Sequence, residues 1–141
     1  MDDASLAMFL ARGRIAFGIA AVAGPGLAAR VMGRRGPAGV APAFARMVGG
    51  RDIALGLGTI VALDRGKPVR GWLEGAALAD AVDGIAAVLA RDEMSPGAVR
   101  ATAALGGASA LLGAVLSRRL DPPPPAHPGQ PEAVATGHPS E

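Results

Sequence analysis

Between residues 6 and 116 the chain runs through four apolar stretches of about twenty residues each, and three of the four carry charges well inside them. The stretches fall at about 6–23, 42–63, 71–90 and 96–116. The first stops at Gly24-Pro25-Gly26. Leu27 to Met32 reads as a short helical turn before "GRRGPAG", a loop. The second opens at Pro42, which suits a first helical position because its missing N–H costs nothing there, and it ends at the turn "DRGKP", residues 64–68. The third ends at Arg91-Asp92-Glu93, and Ser95-Pro96 reads as the N-cap and first residue of the fourth. At 1.5 Å per residue such helices are about 27–33 Å long, close to the hydrocarbon thickness of a bilayer. The expected fold is all-α: a four-helix transmembrane bundle over residues 1–119, followed by a disordered, proline-rich tail over residues 120–141.

Composition bears on whether that bundle sits in lipid or water. Half of the chain is hydrophobic, mean hydropathy is +0.34, and only 18% is charged. There are 32 alanines and 21 glycines but only three phenylalanines, one tryptophan and no tyrosine. Small side chains bury little area each, so they stabilise a water-soluble core poorly. In lipid they are an asset, because helix association there relies on close backbone approach. Only Ala101 to Ser117 is free of charge over most of a span. On hydropathy alone, a soluble Ala-rich helical bundle stays open as an alternative. A cleaved leader is not expected. Ala21-Val22-Ala23 fits a cleavage pattern, but the start is acidic (Asp2, Asp3) and only about nine apolar residues separate Arg14 from Gly24.

Several function classes drop out. With no cysteine there is no disulfide, thiolate metal site or cysteine nucleophile. The two histidines, His127 and His138, lie in the proline-rich tail and read as solvated. The net charge is only +2 and the arginines form no stripe, so no nucleic-acid partner is expected. "GGRDIALGLG", residues 49–58, contains glycines but lacks the spacing of a nucleotide fingerprint. No enzyme, cofactor or metal site is expected. Prolines 122–125 fit either a solvated spacer or a ligand for an aromatic groove.

Small residues recur every fourth position: Gly50, Ala54 and Gly58; Gly71, Gly75, Ala79, Asp83 and Ala87; Gly106, Ala110 and Ala114. Such positions share a helix face. They read as packing ridges within one bundle or as a dimerisation face.

The internal charges are the stronger signal. Gly13-Arg14-Ile15-Ala16-Phe17-Gly18 parallels Gly50-Arg51-Asp52-Ile53-Ala54-Leu55-Gly56, with Asp52 inserted. If successive helices alternate in direction, Arg14, Arg51, Asp52, Asp80 and Asp83 fall at one middle depth. An isolated charge at mid-bilayer costs from about 2.5 kcal/mol upward, so these residues are expected to face inward and pair. Asp52 points about 100° away from Arg51, which directs it to another helix and to Arg14. Three readings of this layer stay open. It can be a set of salt bridges fixing register; a proton or ion pathway, since three negative charges meet two positive ones; or a polar pocket for a quinone, another amphipathic ligand or a reaction. The paired aspartates suit general acid–base work, but no nucleophile or phosphate loop accompanies them.

"GGRDIALGLG", the turn "DRGKPVRGWLE" and "EGAALADAVDGIAAVLA" together resemble a family of small bacterial integral membrane proteins, frequent in high-GC actinobacteria, whose domain has no assigned function. The pattern is also similar, more loosely, to DoxX-like four-helix membrane proteins. The resemblance spans about residues 5–119. It implies four transmembrane helices with Arg51, Asp52, Asp80 and Asp83 as recurrent polar positions, and it implies no reaction. The resulting expectation is a multi-pass protein of the plasma membrane with the bilayer, and a second copy or a membrane-protein partner, as its contacts. Basic residues are nearly balanced between the two ends. Arg65, Lys67, Arg70, Arg118 and Arg119 are assigned to the cytoplasmic side with both termini.

Overall fold

A computed structural model describes residues 1–26 and 40–121. Four α-helices follow one another in this part of the chain: α1 (Asp3–Ala23), α2 (Val40–Asp64), α3 (Arg70–Leu89) and α4 (Pro96–Leu120). A single 3₁₀ turn, Arg91–Glu93, joins α3 to α4. No strand occurs among the described residues, so the all-α expectation stands at this level. The expected turn at 27–32, the loop at 33–39 and the tail from 122 onward lie outside the described residues.

The helix ends follow local chemistry. The Asp2 carboxylate accepts the Ser5 N–H at 2.7 Å and caps α1. This fixes the helix start three residues earlier than the apolar run suggests. The Ser95 hydroxyl accepts the Ala98 N–H at 3.3 Å and Pro96 opens α4, as the Ser-Pro pair predicts. The end of α2 closes with Lys67 N–H on the Ala62 carbonyl (2.9 Å) and Gly66 N–H on the Leu63 carbonyl (3.1 Å). This double bond pattern requires a left-handed residue, and Gly66 supplies it at φ +59°. Two boundaries need correction. Pro42 lies two residues inside α2 rather than at its start; it remains in the first turn, where the N–H has no helical partner. α4 runs to Leu120, a full turn past residue 116 and beyond the tail boundary at 120. Arg118 and Arg119 in its last turn favour the negative helix end, and Leu120 packs against the core.

The helices alternate in direction. Gly18 and Ala21 of α1 meet Gly49 of α2, while Ala11 and Ile15 meet Gly56. Likewise Gly84 of α3 meets Ala103 of α4, and Leu73 and Ala77 meet Gly113. Packing is dense within the pairs α1–α2 and α3–α4 and sparse between them. The molecule is thus two tight helical hairpins set side by side. The seams explain the glycines. A Cβ at Gly18 would stand 2.5 Å from the Gly49 carbonyl oxygen, and one at Gly106 would stand 2.5 Å from the Asp80 carbonyl oxygen. Only a hydrogen side chain permits backbones that close.

The ridge predicted along Gly50, Ala54 and Gly58 is not the α1–α2 seam. Gly50 and Ala54 are exposed, and Gly58 lies under the Trp72 ring of α3. The buried positions of α2 are Ala45, Val48, Gly49, Asp52, Gly56, Thr59 and Ala62, which recur at steps of three or four along one face. In α3, Gly71 is exposed, Gly75 approaches Leu55 of α2, and Ala87 is buried.

The interior is built from small residues. Ala7, Ala62, Val69, Leu73 and Leu116, one or more from every helix, form the main apolar cluster at the end of the bundle holding the 64–70 turn. The large apolar side chains face outward: Phe9, Leu78, Leu105 and Leu111 are each about two-thirds exposed, and Ile85 is 60% exposed.

Candidate functional site

The structure brings together all five charged residues singled out in the sequence. Arg14 comes from α1, Arg51 and Asp52 from α2, and Asp80 and Asp83 from α3. Arg14 donates from Nη1 to Asp52 Oδ1 at 3.0 Å and from Nη2 to Asp80 Oδ2 at 2.5 Å. Arg51 grips Asp83 with both ends of its guanidinium, Nη1–Oδ1 at 3.0 Å and Nη2–Oδ2 at 2.7 Å. It also turns back on Asp52 Oδ1 from Nε at 3.3 Å and Nη2 at 3.1 Å. The order is Asp80–Arg14–Asp52–Arg51–Asp83, a chain that leaves α3 and returns to it.

Neighbouring residues on a helix diverge by about 100°, which is why Asp52 reaches α1. The long Arg51 side chain spans that angle, so Asp52 Oδ1 becomes the hub of both arginines. This second contact exceeds what helical geometry alone predicts for an adjacent pair. The two-pronged Arg51–Asp83 contact is the geometry in which guanidinium and carboxylate bind most strongly.

Burial grades across the layer. Asp52 is 5% exposed, and the Arg14 and Asp80 side chains are also largely covered. The Arg51 and Asp83 side chains are 30% and 29% exposed, so the layer opens toward one flank. The layer sits directly on the α3–α4 seam, because Gly106 abuts the Asp80 backbone. No ionisable residue of α4 joins it among the described residues.

The five groups carry two positive and three negative formal charges. Asp83 has both oxygens engaged. Asp52 Oδ2 and Asp80 Oδ1 accept no hydrogen bond among the described residues. Among the described residues no buried side-chain polar atom is left without a partner, so these two oxygens keep contact with the surroundings. The arrangement can hold three helices in register, and its formal charges sum to −1.

Sequence reasoning missed Asp121. Its Oδ2 accepts the Val69 N–H and, at 2.5 Å, the Arg70 N–H, capping α3 from the end of α4. The signal was a missing one: α3 begins after Pro68-Val69 with no Ser, Thr, Asp or Asn at its N-cap. Antiparallel packing brings Asp121 to the orphan amides. The predicted histidines, His127 and His138, lie outside the described residues.

α1 and α4 are long and apolar enough to cross a membrane. α2 and α3, which hold four of the five layer residues, are equally long but more charged. Compared with known proteins, the chain matches no family model, no curated protein and no solved structure.

Proposed function

We propose that this chain is a small multi-pass membrane protein whose four helices all span the bilayer, with the Arg/Asp layer as the register-fixing contact between otherwise featureless helices. One observation carries this reading: the molecule is inverted relative to a water-soluble bundle. The five layer charges face inward and pair while Arg12, Arg46 and Glu74 stay exposed, the interior is mostly alanine and glycine, and Phe9, Leu78, Leu105 and Leu111 point out. A water-soluble bundle would lose stability by exposing those side chains and gain little from an Ala/Gly core. In lipid the outward face is solvated, small residues permit close packing, and pairing removes the cost of the charges. Thr59 and Ser117 fit the same setting, since each buried hydroxyl donates to a carbonyl of its own helix. Its role is to act through contact with a second copy or a membrane partner rather than through a reaction. The resemblance to the actinobacterial and DoxX-like membrane proteins agrees with this placement.

The absence of cysteine gives a direct test. Single cysteines are introduced at Lys67, Leu78 and Asp92 and treated with a membrane-impermeant maleimide. Lys67→Cys is expected to react only from the cytoplasmic side, Asp92→Cys only from outside, and Leu78→Cys only after detergent denaturation. Rapid labelling of Leu78→Cys in undenatured membranes would contradict the spanning arrangement.

A second reading is favoured by the charge imbalance. One surplus carboxylate with free oxygens at Asp80 and Asp52 suits a layer that takes up a proton or monovalent cation. Here Asp80→Asn would abolish proton movement in proteoliposomes while leaving the fold intact. Under the register reading Asp80→Asn lowers stability and there is no such flux to lose.

A further inference from the structure

We infer that the two hairpins are arms hinged at the apolar cluster, with Arg14–Asp80 and Arg51–Asp83 as the latch that holds them together above it. This inference rests on packing and does not require the register reading or the proton reading to hold. Three independent observations support it.

First, the two kinds of interface differ in chemistry. Within each hairpin the backbones touch through glycine: Gly18 with Gly49 in one, Gly106 with Gly84 in the other. Such seams are extensive and leave no space for sliding. Between hairpins the contact is sparse. Its polar links among the described residues are Arg14–Asp80, Arg51–Asp83 and the exposed Arg119–Asp3 pair at 3.4 Å.

Second, the apolar cluster that joins the arms lies on one side of the layer. Below the layer, toward the 64–70 turn, lie the cluster of Ala7, Ala62, Val69, Leu73 and Leu116, the Trp72 ring on Gly58, and Leu55 beside Gly75. Above the layer, no hydrogen bond or ion pair joins the arms among the described residues.

Third, burial along α4 is confined to its lower end. No residue from Pro96 to Leu112 is buried, whereas Gly113, Leu116 and Ser117 are. A packed end below and an ionic layer at its boundary make a hinge whose uppermost polar ties between the arms, among the described residues, are charged. Hinge closure of packed bodies is a common form of two-state motion, and ion pairs are the contacts most readily exchanged in it. Opening would expose the Arg/Asp layer from one side only.

Paired spin labels on the full chain in lipid nanodiscs test this. One pair, Met47→Cys with Leu89→Cys, reports on the upper ends of opposite hairpins; the other, Phe9→Cys with Leu111→Cys, reports below the layer. All four positions are well exposed. In the otherwise wild-type chain the upper pair is expected to show the broader distance distribution. Adding Asp80→Asn and Asp83→Asn together is expected to lengthen and broaden the upper distances and leave the lower ones unchanged. Equal breadth in the wild type, or no change in the upper pair on neutralisation, overturns the hinge. So does a change in both pairs, which would make the layer a support for the whole bundle. If the double variant does not accumulate, the wild-type comparison and Asp83→Asn alone decide in the same way.

Discussion

Asp52 shows how one residue sets the character of the centre. It receives Arg14 and Arg51 on a single oxygen and is almost fully buried, so each arginine neutralises a carboxylate that could not stand alone. Removing one member of a buried ion pair leaves its partner uncompensated and costs about 3–5 kcal/mol. Arg14→Ala should therefore lower unfolding stability in detergent by about that amount, because both Asp52 and Asp80 lose their shared donor. Arg51→Asp or Asp83→Arg alone should destabilise, and the two together should recover most of the loss; failure of the swap to recover stability would argue that the pair serves something other than register. At the exposed end of α1 the Asp2 carboxyl is held below its ordinary value by the Ser5 N–H. A depressed value in the folded state means the cap is in force above the ordinary pH of 3.8 and weakens as pH falls through the lower folded value. Hydrogen exchange at the Ser5 amide should accelerate on acidification in the wild type and show much less pH response in Asp2→Asn. The five layer residues could be read from the sequence because charges in apolar helices have few places to go, and counting residues from the helix starts gives their depth. Asp121 could not, since its role arises only when antiparallel packing brings residue 121 to residues 69 and 70.

The helices themselves were legible as apolar runs between turns, and their ends were legible where a cap is local, as at Ser95. The packing faces were harder. In a helix rich in alanine and glycine many four-residue ridges overlap, and spacing alone does not select among them. The actual α2 seam, through Ala45, Val48, Gly49, Asp52, Gly56, Thr59 and Ala62, mixes steps of three and four, the spacing that keeps one stripe facing a partner over several turns. Asp52 lies on that stripe, where the register reading places the contact that fixes it. The seam makes a sharp contrast testable. Gly106→Ala would drive a Cβ into the Asp80 carbonyl and should destabilise by about 1–3 kcal/mol. Gly50→Ala, with open space around it, should be neutral or stabilise by about 0.5–1 kcal/mol. Thermal scans of both variants in the same detergent give the comparison. Asp121→Ala should cost about 0.5–2 kcal/mol and speed exchange at the Val69 and Arg70 amides, leaving the α1 amides unaffected.

At the scale of the whole molecule, the five layer charges lie inside an Ala/Gly interior while large apolar side chains such as Phe9 and Leu78 lie outside. An Ala/Gly interior gives up hydrophobic stabilisation, and the ion pairs concentrate specificity at one level of the bundle. The same inversion separates the membrane reading from a soluble bundle, because each solvent makes opposite demands on Phe9, Leu78, Leu105 and Leu111. The most direct measurement is fractionation of cells expressing the full chain, with a carbonate wash of the membranes at high pH. The protein should remain in the washed pellet and enter solution only with detergent. Recovery of folded, monodisperse protein from the cytosol without detergent would contradict the account at its centre.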